Sequence, residues 1–435
     1  MHNKNKIGLS RVGSIAVKKQ VIYTDNQVVK VRDITFQRKV IKRSHSNLYY
    51  LDNAAATPVD PAVEREMQIA SKIYGNPSSF NDAGREARKK INESRLLVAR
   101  FLGAQSGEVV FTSSGSESNN MAILGKARAF PDGGEIITTV IEHKSVLEPV
   151  RALKKEGWKI THLRVDKSGL IDIEELKKKL NSRVRLVSVM YANNEIGSIQ
   201  PIAKIGKILK EFNKKFKDPI RQILFHVDAC QASVYLDMNV NNLGVNLMTF
   251  NGSKIYGPRG SAVLYKKRGV RLEPLVYGGD QEYNLRAGTE NLPAIAGLAK
   301  AISLIDRKRD SERDSKLRDY FMEELIRRGL GMINGPFGKD RLPNNINISI
   351  QGISDEHLLL ELDKYRIRAS SGSACTARSV EPSHVLKAIG VDKKHLGGAL
   401  RFSLGRQTTK KEIDYVLKVL SKTVADLKKR YKSTI

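Results

Sequence analysis

From Leu51 to about Tyr265, short apolar runs alternate with longer stretches in which apolar residues recur at helical spacing. The runs are Val109-Val110-Phe111, Ile136 to Ile141, Leu186 to Tyr191, Ile223 to Val227, Leu247 to Phe250 and Ala262 to Tyr265. Helical spacing covers Gly84 to Phe101 and Ile202 to Phe216. Strands that alternate with helices predict an α/β fold built on a mainly parallel sheet with helices on both faces. After a helical stretch from Asn291 to Arg328 the rhythm changes. Short strands around Ile346 to Ile350, Ile367 to Ser370 and Leu400 to Ser403 alternate with helices, predicting a smaller α+β domain. The expected division is a large domain over 49–300 and a small one over 301–435, preceded by an extension over 1–48. There is no internal repeat and no low-complexity tract.

The 435 residues suffice for two or three domains, and 40% hydrophobic with 28% charged residues is a globular balance. No apolar stretch approaches the ~20 residues of a membrane-spanning helix, so no membrane association is expected. Two cysteines, Cys230 and Cys375, make no disulfide framework and favour a reducing compartment, hence the cytoplasm. The first 48 residues carry eleven Lys and Arg against Asp25 and Asp33. That composition also suits a transit peptide, which would make the location mitochondrial, but Val21-Ile22-Tyr23 and Val28 to Val31 read as short strands of a hairpin-like or poorly ordered extension. The net charge of +29 invites a nucleic-acid reading. The basic residues are dispersed along amphipathic helices, however, and no RNA-binding signature with interleaved aromatics is present. Attraction to acidic partners follows from the charge; direct nucleic-acid binding does not.

In an open α/β sheet, ligands sit beyond the carboxyl ends of the strands. Ser113-Ser114-Gly115-Ser116 follows one strand and runs into a helical pattern, as a phosphate site requires, although a Ser-rich helix start is also an ordinary cap. Phe225-His226-Val227-Asp228-Ala229-Cys230-Gln231 ends another. Period two puts His226, Asp228 and Cys230 on one face, but no second ligand group with metal-site spacing occurs, so no metal is expected. A buried carboxylate such as Asp228 needs a cationic partner, and a protonated ring nitrogen would serve. Lys254, after the run ending in Phe250, is a candidate for Schiff-base chemistry, since desolvation frees its amine. The glycine spacing before it excludes a P-loop. His143, in Glu142-His143-Lys144, is placed to stack on a ring and move protons.

Phosphate cradle, carboxylate and lysine in that order describe a pyridoxal-phosphate enzyme. The chain resembles the cysteine desulfurases, a branch of the class-V aminotransferases, from about Tyr50 to Leu427. The resemblance is carried by Leu51-Asp52-Asn53-Ala54-Ala55-Ala56-Thr57-Pro58, Gly75-Asn76-Pro77-Ser78-Ser79, Glu142-His143-Lys144 and Asn193-Asn194-Glu195-Ile196-Gly197. Further along it rests on His226-Val227-Asp228-Ala229, Lys254-Ile255-Tyr256-Gly257-Pro258, Arg286-Ala287-Gly288-Thr289, Ser371-Gly372-Ser373-Ala374-Cys375 and Arg401-Phe402-Ser403-Leu404-Gly405-Arg406.

That resemblance implies a fold type I transferase with a seven-stranded sheet, pyridoxal 5'-phosphate as cofactor, and conversion of L-cysteine to L-alanine with a persulfide on Cys375. It implies that Lys254 joins the cofactor and moves the Cα proton, that Asp228 pairs with the ring nitrogen, and that His143 stacks as acid and base. Gln231 and Asn194 would bond the ring hydroxyl and substrate. Gly115, Ser116, Asn251 and Ser253 would hold the phosphate, with Thr289 supplied by the other subunit of a homodimer, and Arg401 would grip the substrate carboxylate. The small residues around Cys375 resemble the long-loop branch, whose members pass sulfur to iron–sulfur scaffold proteins and tRNA-thiolation relays. The chain departs from the family at Asn81, Ser114, Asn251 and Ser253, where His, Gly, Ser and His are usual. An aminotransferase or a selenocysteine lyase of the same class would keep Lys254 and Asp228, but an aminotransferase has no use for Cys375. A basic binding protein on a dead fold would need none of these residues.

Overall fold

A computed structural model describes residues 18–24, 27–34, 48–130, 132–372 and 382–432. Two compact units divide the chain, the first ending at Asn47. In it, β1 (Lys18–Thr24) and β2 (Gln27–Ile34) pair antiparallel, with Lys18 opposite Ile34 and Thr24 opposite Gln27.

The second unit begins with the short β3 (Tyr49–Tyr50) and then builds a seven-stranded sheet. Its strands are β4 (Val109–Thr112), β5 (Glu135–Thr139), β6 (Lys159–Leu163), β7 (Val184–Met190), β8 (Leu224–Asp228), β9 (Leu247–Asn251) and β10 (Ala262–Lys266). They lie in the order β4-β10-β9-β8-β7-β5-β6. Only β10 runs against its neighbours β4 and β9, so the other strands point their carboxyl ends to one edge. Alternation along each strand explains why helices cover both faces. Val109 and Phe111, Val187 and Val189, Phe225 and Val227 enter one core with the helices Asp82–Leu102, Ile202–Asn213 and Leu292–Ser303. Val110, Ile136, Leu186 and Leu264 enter the opposite core with the helices Gly115–Arg128 and Lys144–Lys155. Each such side chain contributes about 1.5–3 kcal/mol on burial, which fixes the sheet between its two helical layers.

The remaining strands are β11 (Met332–Ile333), β12 (Asn345–Ser349), β13 (Ile367–Arg368) and β14 (Ala399–Ser403). β11, β12 and β14 form an antiparallel sheet, while β13 pairs with β3. Phe321, Ile346, Ile348, Leu400, Phe402 and the long helix Lys410–Lys432 share a separate core. The stretch expected to be one helix from Asn291 to Arg328 is two, Leu292–Ser303 and Arg307–Arg327. Asp306 breaks it by capping the second helix, its side chain accepting from Arg309 N at 3.1 Å. Two of the sequence departures are also caps. Asn81 Oδ1 accepts from Gly84 N at 2.9 Å and Ser114 Oγ from Glu117 N at 3.1 Å.

Candidate active site

The carboxyl ends of β4, β5, β7, β8 and β9 open into one pocket with a cavity volume of about 200 Å³. From β4 come Ser114, Gly115 and Ser116; from β5, His143 and Ser145; from β7, Met190, Ala192 and Asn194. The end of β8 gives Asp228 and the turn after it Cys230 and Gln231, while the end of β9 gives Asn251 and the turn after it Lys254. Ala54 and Ala55 close one side, and Arg401 reaches in from β14. Every strand end singled out in the sequence therefore meets the others here.

Gly115 and Ser116 begin a 14-residue helix, whose first N–H groups have no intrahelical partner and favour an anion. A Cβ on Gly115 would stand 2.8 Å from Cys230 Sγ, so only glycine leaves this wall open. Asn251 Oδ1 is buried with no hydrogen-bond partner among the described residues. Ser253 is not in the pocket wall; its carbonyl accepts from Thr57 N at 2.8 Å. Exposed Thr289 lines a different cleft with Phe111, Arg286 and Glu290. Cys375 lies outside the described residues.

Asp228 is 6% exposed, and the hydrogen bonds it accepts come from neutral donors: Asn119 Nδ2 at 2.8 Å and Cys230 N at 3.0 Å. Beneath it, fully buried His226 has Nδ1 at 2.8 Å from Ser188 Oγ and Nε2 at 3.3 Å from Thr249 Oγ1. Burial pushes the His226 pKa down to about 4 against the attraction of Asp228, so the ring is neutral. His226, Asp228 and Cys230 make no metal cluster; among the described residues no group of three or more His, Cys, Asp or Glu could hold a metal ion. Cys230 faces the pocket, but burial, reinforced by the Asp228 charge, keeps its thiol well above the ordinary range and therefore protonated.

Half-buried Lys254 donates from Nζ to the carbonyl of Ala55. Gln231 Nε2 donates to the Ala54 carbonyl at 2.9 Å. His143 caps the helix Lys144–Lys155, its Nδ1 accepting from Ser145 N at 3.1 Å and lying 2.8 Å from Ser145 Oγ. That contact fixes the ring and leaves Nε2 as its other polar edge. Arg401 is buried; Nη2 donates to Asp52 Oδ1 at 2.7 Å and Nη1 to the Asn194 carbonyl at 3.0 Å, while Nε has no partner among the described residues. Sequence reasoning did not single out Asp52, Asn119 or Ser145, whose roles arise from three-dimensional approach.

The chain that builds this pocket is similar to known proteins over most of its length. The profile of the class-V aminotransferases matches residues 49–416. A cysteine desulfurase IscS of Dictyoglomus turgidum is 45% identical over 384 residues, covering 87% of this chain and 95% of its own. The chain belongs to the class-V aminotransferases, in the branch of the cysteine desulfurases. Members of this family use pyridoxal phosphate. A cysteine desulfurase of Nostoc is 43% identical over 386 residues, covering 88% of this chain and 94% of its own. Among solved structures, a NifS-like protein superposes with a TM-score of 0.81 at 36% identity, covering 87% of this chain and 99% of that one. A second, solved as SspA in complex with cysteine, has a TM-score of 0.72 at 33% identity, covering 82% and 98%. The fold type I architecture expected for the family is thus the one this chain adopts. Among the described residues no helix is long and apolar enough to cross a membrane.

Proposed function

We propose that the protein takes sulfur from L-cysteine, holds pyridoxal phosphate in the pocket described above, and receives the sulfur on Cys375 for delivery to an acceptor protein. The residues fit that cofactor. The Gly115–Ser116 helix start suits its phosphate, with Asn251 Nδ2 as a donor beside Gly115 in the same wall, Asp228 suits a ring N–H, and Lys254 suits its aldehyde. When bound, it supplies an electron-poor ring that accepts the electron pair released at the substrate Cα.

The chain's own residues do the rest. Asp228, held by Asn119 and Cys230 N, keeps a proton on the ring nitrogen. Lys254 moves the proton between Cα and its amine, and the fixed His143 ring takes and returns protons above. Arg401, with Nε unpartnered and Asp52 aligning its plane, binds the substrate carboxylate. Asn194 and Gln231 orient the bound groups. The Cys375 thiolate attacks the substrate sulfur; the S–S bond forms as the Cβ–S bond breaks, and Cβ gains a proton. Cysteine and one thiol thereby become alanine and one persulfide with no outside oxidant.

Asp228 and Lys254 facing one pocket in a chain of this family carry the reading. Relatives named IscS and a neighbour solved with cysteine support cysteine as substrate and iron–sulfur assembly as one destination. A tRNA-thiolation relay is a second destination. The separate cleft of Thr289 suits a ligand supplied across a homodimer, and a reducing cytoplasmic location suits the free thiols. The test is steady-state release of alanine and sulfide from L-cysteine by wild type, Lys254→Ala and Cys375→Ser. Both variants are expected to be inactive, and Lys254→Ala to lose the visible absorption of lysine-bound cofactor. Full activity of Cys375→Ser would exclude this chemistry.

A further inference from the structure

Cys375 lies in the chain between Gly372 and Ser383, and both of these described residues meet one buried side chain. Glu195 is 1% exposed and directly follows Asn194 of the pocket wall. Its Oε2 accepts from Ser383 Oγ at 2.5 Å. The same oxygen packs on Gly372, where φ is +70° and an added Cβ would stand 2.8 Å away. One carboxylate therefore touches a described residue on each side of Cys375 in the chain.

The backbone under that carboxylate is held firmly. Asn193 Oδ1 accepts from the N–H groups of Glu195 at 2.8 Å and Ile196 at 2.9 Å. The Glu195 carbonyl accepts from Nδ2 of both Asn345 and Asn347 at 3.1 Å, on β12. Gly197 follows at φ +75°, against Asn345. Next door, the Asn194 carbonyl accepts from Arg401. Ser383 is equally fixed, because its hydroxyl also accepts from Val385 N at 3.1 Å and Leu386 N at 3.2 Å at the start of a helical turn. His384 Nε2 lies 3.0 Å from the carbonyl of Glu142, beside His143. A polar group buried at such a joint is retained against its desolvation cost only by what it bonds.

We propose that Glu195 is a positioning residue whose carboxylate clasps Gly372 and Ser383 together and thereby sets how the Cys375 thiol is presented to the pocket. The proposal rests on the sulfur transfer proposed above.

The test uses the holoenzyme and the variants Glu195→Ala, Ser383→Ala, their combination, and Glu195→Gln. Persulfide formation on Cys375 is followed in a single turnover with L-cysteine. The visible spectral response to L-alanine reports the pocket without Cys375. We expect each alanine variant to slow persulfide formation roughly tenfold, as loss of a charged hydrogen bond allows. The double variant is expected to be no slower than either single one, and Glu195→Gln, which keeps an acceptor, to recover most of the rate. The L-alanine response should stay within about twofold of wild type. Unchanged persulfide rates, additive losses, or a parallel loss of L-alanine binding would each overturn the clasp. If wild type forms no persulfide, the sulfur-transfer reading fails by itself. The clasp is then read from alkylation of Cys375 by iodoacetamide, mapped by peptide. That rate rises roughly tenfold in Glu195→Ala if the clasp exists; an equal rate overturns it.

Discussion

Glu142 offers a quantitative test of the electrostatics behind the pocket. Its side chain is fully buried between β5 and β7. Oε1 accepts from Thr139 Oγ1 at 2.8 Å and Met190 N at 2.9 Å, while Oε2 has no partner among the described residues. Burial first, and the charge of Asp228 after it, push the pKa from 4.5 up to about 8, the two hydrogen bonds opposing. At neutral pH the group is a carboxylic acid. The folded state thus keeps a proton that the unfolded chain releases between pH 4.5 and about 8, so this stabilisation is complete below pH 4.5 and lost as pH rises toward 8. At about 1.36 kcal/mol per pKa unit, roughly 3 kcal/mol should disappear between pH ~5.5 and ~8.

Glutamine keeps the acceptor and has no proton to lose. Urea unfolding of wild type and Glu142→Gln, at fixed cofactor, should therefore show the variant gaining about 3 kcal/mol relative to wild type over that interval. His226, pushed down to about 4, loses its own contribution as pH falls below its ordinary 6.5, and it is common to both proteins, so it cancels in the comparison. A stability difference that stays constant within about 1 kcal/mol would mean that Glu142 is ionised in the folded protein, and the burial argument would be wrong.

Two other perturbations follow from the same geometry. Arg95 and Glu282 form a buried two-pronged pair at 2.8 and 2.6 Å, with Glu282 also accepting from Phe111 N at 2.7 Å beside the anion cradle. Arg95→Ala should cost about 3–5 kcal/mol in urea unfolding, because it strands a buried charge. Asp228→Asn keeps the side-chain volume but removes the charge facing the ring nitrogen. Titration of the apoprotein, followed by visible absorption, should show cofactor affinity reduced roughly tenfold or more.

The sheet was legible where burial dictates composition. β4, β5, β7, β8, β9 and β10 are apolar runs because both of their faces meet helices. The edge strand β6, Lys159-Ile160-Thr161-His162-Leu163, escaped notice because one side of it meets water and its apolar residues make no run. The break at Leu304-Ile305-Asp306 was hidden because the first two residues continue the apolar pattern. In the pocket, residues that end strands could be read along the chain. Asn119, Asp52 and Glu195 could not, since each acts by reaching a group more than a hundred residues away, Asp228, Arg401 and Ser383 respectively.

Sulfur transfer through one thiol is tested most directly by a single turnover of holoenzyme with L-cysteine in the absence of reductant, followed by peptide mass mapping and alanine quantification. One added sulfur on the Cys375 peptide, matched mole for mole by L-alanine, is the predicted result. Alanine formed in equal amount with the Cys375 peptide unmodified would contradict it.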